Sequence, residues 1–141
     1  MKINDRYLFK AIDTNSVWRT GLLIALKGNR CAIEESDGSK WACDAKTLCQ
    51  CTGLKDKNGN LIWENDIVKK EFYTDYDNCA NSEEYIGIAK IMDCAWVIET
   101  IRGHKCTRPI FEAMSYSEDV KHFEVIGNAF DNPELLESEK K

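Results

Sequence analysis

Apolar and polar positions along this chain change places every few residues, and no apolar stretch outlasts a strand. The longest, Leu22-Leu23-Ile24-Ala25-Leu26, is one strand long and far short of a membrane span. Turn-forming residues break the pattern at short intervals, which is β punctuation. From the start, the pattern predicts a strand over residues 6–12 and a turn at Asp13-Thr14-Asn15-Ser16. A second strand opens at Val17-Trp18, continues past Gly21 to Leu26 and stops at Lys27-Gly28-Asn29. Strands over 30–35 and 40–44 flank Ser36-Asp37-Gly38-Ser39, whose Asp-Gly pair suits positive φ, so this part of the chain reads as an antiparallel meander. Asp44 is placed to cap a single helical turn running to Thr47.

The run from Thr52 to Val68 carries the strongest local signal, because Asn58-Gly59 sets side by side the two residues that best tolerate positive φ. Asn65 and Asp66 form a further turn into a strand over 67–73, and residues 74–82 make a polar loop on which function could sit. Strands are predicted over 84–92 and 95–101, a poorly defined segment lies between Gly103 and Pro109, and 111–114 is open. Residues 117–122 read as a short helix capped by Ser117, and 123–130 as a last strand broken at Gly127. Asn132-Pro133 then starts a terminal helix. The expected fold is mainly β: a small antiparallel barrel, SH3-like, with one or two short helices including a C-terminal one, and a sandwich as the alternative. At 141 residues it is expected to be one domain, 1–141, with 137–141 a frayed tail.

Composition narrows the functional classes. The net charge is −5 and the only basic pairs are Lys69-Lys70 and Lys140-Lys141, which argues against a sequence-independent nucleic-acid binder. An acidic surface could instead imitate a nucleic-acid backbone or meet a basic partner, but moderate negative charge is common in solvated cytosolic proteins, and that is the preferred reading. The seven cysteines, odd in number and irregular in spacing, with no apolar leader at the start, point to free thiols in a reducing cytoplasm and no membrane attachment. Cys43, Cys49 and Cys51 could be thiolate metal ligands or small buried thiols; with no C-x-x-C pair, and His104 and His122 the only histidines, buried thiols are the preferred reading and no cofactor is expected. If residues 49–51 are extended, Cys49 and Cys51 share a face and Gln50 takes the other.

Each candidate for chemistry has a structural explanation beside it. Asp56 and Asp66 could pair for acid-base work, but aspartates in turns bond their own backbone. His104 and Cys106 lack an orienting third group. Trp18, Trp41, Trp63 and Trp96 could stack on single-stranded nucleic acid, or pack in a core or an interface. No glycine-rich phosphate loop, nucleophile elbow or metalloprotease pattern occurs.

The run from Thr52 to Val68, the preceding Thr47-Leu48-Cys49-Gln50-Cys51, the early Trp18-Arg19-Thr20-Gly21 and the closing stretch from Val125 to Leu136 together resemble the YopX family, small proteins of phages and prophages. The chain departs from the family pattern at Asn65, where glycine is usual, and at Cys51, where an aromatic is common. The resemblance implies a mainly β protein with an SH3-type barrel, phage-encoded, acting in the host cytoplasm and able to oligomerise; it implies no activity. The expected function is a non-enzymatic interaction module binding a host or phage protein, or itself, with a nucleic-acid-associated accessory factor as the alternative.

Overall fold

The computed structural model describes residues 4–74, 81–92, 94–102, 111–113 and 123–137. Its strands are β1 (Phe9–Ile12), β2 (Trp18–Lys27), β3 (Arg30–Glu34), β4 (Lys40–Asp44), β5 (Cys49–Lys55), β6 (Leu61–Trp63), β7 (Asp66–Thr74), β8 (Asn81–Met92), β9 (Ala95–Arg102), β10 (Phe111–Ala113) and β11 (Phe123–Asn128). They form two antiparallel sheets, ordered β4-β3-β2-β1-β5-β6 and β10-β9-β8-β7-β11. The chain divides into two compact units, Met1–Gly53 and Leu54–Lys141.

In the first unit, period-two alternation turns Ala11, Cys31, Ile33 and Cys43 inward, where Phe9, Leu23, Trp41, Ala45 and Leu48 pack against them. The long strand β2 changes partner halfway: Gly21 stands opposite Phe9 of β1, whereas Leu22 stands opposite Glu34 of β3. This corner coils the meander until a single bridge between Asp13 and Cys43 brings the end of β1 beside β4. The turn Ala45–Thr47 sits next to it; Asp44 accepts from Lys46 N as its cap, and the Thr47 hydroxyl accepts from Ile12 N at 2.8 Å. The predicted first strand begins later than expected, at Phe9, because Asn4 accepts from Arg6 N and winds Asp5–Tyr7 into a 3-10 turn.

In the second unit, Ile62, Val68, Ala89, Ile98 and Phe123 form the core, with Leu54, Trp96 and Val125 against it. β7 and β8 pair from Ile67↔Ile88 to Thr74↔Asn81, so both run into the segment expected to be a polar loop. β11 joins the free side of β7, with a register shift between Val125 and Gly127 where the sequence predicts a break. No closed barrel forms among the described strands: the last strand completes the sheet of its neighbour β7 rather than returning to β1. The expected C-terminal helix is a 3-10 turn, Pro133–Leu136, because the Asn132 side chain accepts from Asn128 N instead of capping the turn. The helix expected over 117–122 lies outside the described residues.

One corner motif occurs three times among the described residues. Asp13 N donates to Val17 O and Ser16 N to Asp13 O; Glu35 N donates to Ser39 O and Gly38 N to Glu35 O; Asp56 N donates to Asn60 O and Gly59 N to Asp56 O. The residue closing each loop is left-handed: Ser16 at φ 64°, Gly38 at 88° and Gly59 at 84°. These are three-residue loops built on a right-handed turn and a left-handed closing residue, so Asn58 and Asp37 keep negative φ and only the glycine beside each takes the special conformation. Gly59→Val is therefore expected to lower stability by about 1–2 kcal/mol, whereas Lys57→Ala, which loses only an exposed ion pair to Glu124, changes it by less than about 0.5 kcal/mol. Urea denaturation of the two variants side by side checks this, and equal midpoints would refute the turn assignment.

Candidate functional site

The first unit gathers most of its polar chemistry around Arg19. Its Nε donates to Asp13 Oδ2 at 2.8 Å, Nη1 reaches Glu35 Oε1 at 3.5 Å, and the guanidinium lies 3.3 Å from the centroid of the Trp41 ring. Trp41 Nε1 in turn donates to Ser39 Oγ at 3.0 Å. The other Asp13 oxygen accepts from Asn15 N at 2.8 Å and Val17 N at 3.0 Å. Arg19, with those backbone N–H groups, holds the Asp13 carboxyl below the usual carboxylate range. The cluster thus ties two hairpin corners together and leaves Asp13 an acceptor, poorly suited to taking up a proton.

Asp56 repeats the Asp13 arrangement in the second unit. Oδ1 accepts from Asn58 N and Asn60 N, each at 2.9 Å, and Oδ2 accepts from Val125 N at 2.9 Å. Asp66 Oδ2 accepts from Trp63 N at 2.8 Å, across the turn in which Asn65 sits at φ 69°. Asn65 N donates to Ala89 O and its carbonyl accepts from Ala129 N, so this left-handed residue fastens the turn to two other segments. Both aspartates serve backbone amides.

The four tryptophans are divided between the two units. Trp18 and Arg19 are strand neighbours and face opposite sides; Trp41 lies with Arg19, while Lys10 Nζ stands 4.6 Å from the Trp18 ring centroid. Trp63 and Trp96 belong to the second unit, where Trp96 packs on the core. Rings covered by the chain's own cations offer less open face for stacking on bases.

Cys31, Cys43, Cys49 and Cys51 are buried free thiols, and Cys94 is exposed. Cys49 and Cys51 are buried with half-exposed Gln50 between them, as alternation requires. Burial, aided by the neighbouring Cys31, pushes the Cys43 thiol up to about 11, so it stays protonated and inert near neutral pH. No group of three or more His, Cys, Asp or Glu that could hold a metal occurs among the described residues. His104, His122, Cys79 and Cys106 lie outside the described residues.

Described residues of the first unit line a cleft and a groove. A cleft of about 320 Å³ is lined by Asp13, Asn29, Arg30, Cys43, Asp44 and Lys46, with charges of both signs. A groove of about 380 Å³ is lined by apolar Leu8, Gly21 and Leu22 and by polar Thr20, Glu34, Glu35 and Ser36. Leu22, Ile24 and Leu26 of β2 are 37%, 44% and 59% exposed. Sequence reasoning placed these residues in a strand but not at the surface, because a register shift between Leu23 and Ala25 interrupts the alternation of β2 against β3. No helix among the described residues is long and apolar enough to cross a membrane.

Compared with protein families, residues 9–137 match the model described as YopX protein. No curated protein matches the chain.

Proposed function

Since the chain belongs to the YopX family, we propose that it is a small non-enzymatic β module, phage- or prophage-encoded, that acts in the host cytoplasm by binding another protein. The observation that carries this reading is the exposure of Leu22, Ile24 and Leu26 on β2, large apolar side chains that the fold leaves in water where a partner could cover them. The buried, fully bonded Asp13 and Asp56 support it, because these carboxylates are committed to holding the fold. A nucleic-acid-associated role is less favoured by a net charge of −5 and by the cations over Trp18 and Trp41.

The test is affinity capture from host lysate with tagged wild-type protein and with Ile24→Lys, each with and without nuclease, read by mass spectrometry. A protein retained by wild type after nuclease treatment and lost with Ile24→Lys supports the reading. Recovery that depends on nucleic acid, or equal recovery by both proteins, overturns it.

A further inference from the structure

The groove beside β2 has a chemistry of its own. Its lining combines apolar Leu8, Gly21 and Leu22 with Thr20, Ser36 and two carboxylates, and no lysine or arginine lines it. The two carboxylates are not equivalent. Glu35 is partly neutralised by Arg19 at 3.5 Å and accepts from Ser39 Oγ at 3.4 Å. Glu34 closes no ion pair among the described residues, although Lys40 stands across from it in register on β4. A half-exposed carboxylate beside apolar side chains attracts a cation carried next to a hydrophobic group, and the chain's net charge of −5 adds to that attraction. At about 380 Å³ the groove accommodates side chains of a peptide segment, and Leu22 in its lining is 37% exposed.

We propose that this groove docks a basic, apolar peptide segment of a partner protein, one in which a leucine, isoleucine, methionine or phenylalanine enters over Leu8 and Leu22 while a neighbouring arginine or lysine pairs with Glu34. The inference rests on the reading of the chain as a protein-binding module and names the chemistry of its partner. Glu34 sets the preference for a positive charge, and Leu8 and Leu22 supply the apolar contact.

The experiment selects a displayed random-peptide library on the full chain, then measures the enriched peptides by fluorescence anisotropy against wild type, Glu34→Lys and Glu34→Gln. Circular dichroism confirms that both variants are folded. Expected are peptides with arginine or lysine within a few residues of a large apolar residue, binding weakened about tenfold or more by Glu34→Lys and less by Glu34→Gln, and a fall in affinity as salt rises. Amide chemical-shift changes should centre on Leu8, Gly21 and Leu22. Failure to enrich any peptide, enrichment of peptides without basic residues, or equal binding to wild type and folded Glu34→Lys overturns the inference. So does self-association at the groove, detected by sedimentation and abolished by Glu34→Lys. If lysate capture still depends on Ile24 while the peptides ignore Glu34, the groove assignment falls and the interaction module stands; if capture fails as well, both fall.

Discussion

Gly21→Ala is expected to destabilise the first unit by about 3 kcal/mol, because a methyl group there has no free volume to enter. A Cβ built on Gly21 would lie 2.0 Å from Glu34 O and 3.1 Å from Glu35 Cα. Both are backbone atoms, so relief requires β2 and β3 to move apart at the point where β2 leaves β1 for β3. That separation would break strand pairing beside the cluster of Ala11, Cys31, Ile33 and Cys43 with its half-buried neighbours. Gly28→Ala is the control: nothing lies within 4 Å of its Cβ, and at φ 60° the substitution costs about 1 kcal/mol of backbone strain. Urea denaturation measures the two losses, and amide exchange at Ala11 and Ile33 locates them. A Gly21→Ala midpoint equal to that of Gly28→Ala would show that the strands accommodate the methyl group.

Asp56→Asn is expected to cost about 3 kcal/mol, since three backbone N–H groups lose part of their acceptor and one meets a donor instead. With Oδ1 kept toward Asn58 N and Asn60 N, the new amide NH2 faces Val125 N, which previously donated to Oδ2 at 2.9 Å. The corner is also held by Lys57 N donating to Phe123 O, so the damage falls where β11 begins, beside the buried Phe123 ring.

The same bonds set a pH dependence. Burial raises the Asp56 carboxyl, but the N–H groups of Val125, Asn60 and Asn58 outweigh it and leave it below its ordinary value of 3.8. A carboxyl depressed in the folded state binds its proton more readily in the unfolded chain. Its stabilisation is therefore fully present above the unfolded value and is lost as pH falls through the folded one. Denaturation midpoints of wild type and Asp56→Asn between neutral pH and pH 3 should converge toward the acid end. Parallel curves would mean that Asp56 does not contribute through its charge.

Much of this fold was legible in the chain because its signals are local. Asp37-Gly38 and Asn58-Gly59 mark corners by the left-handed glycine each requires, Asn65 takes φ 69° where the family usually has glycine, and Asp44 caps the turn it precedes. Alternation placed Cys49 and Cys51 on one face, and Gly127 marked a break in the last strand. What stayed hidden depends on contacts distant in sequence. No local pattern announces that β2 changes partner at Gly21, that Asp56 reaches Val125, or that Arg19 covers Trp41. Nor does one show that Asn132 is drawn to Asn128 and leaves only a 3-10 turn after it. Turn chemistry acts over four or five residues, so the sequence alone determined the corners, the alternation and the family. Which carboxylates are consumed by the fold, and which apolar side chains remain in water at β2, was decided by tertiary structure, because burial and pairing are properties of strands brought together from separate parts of the chain.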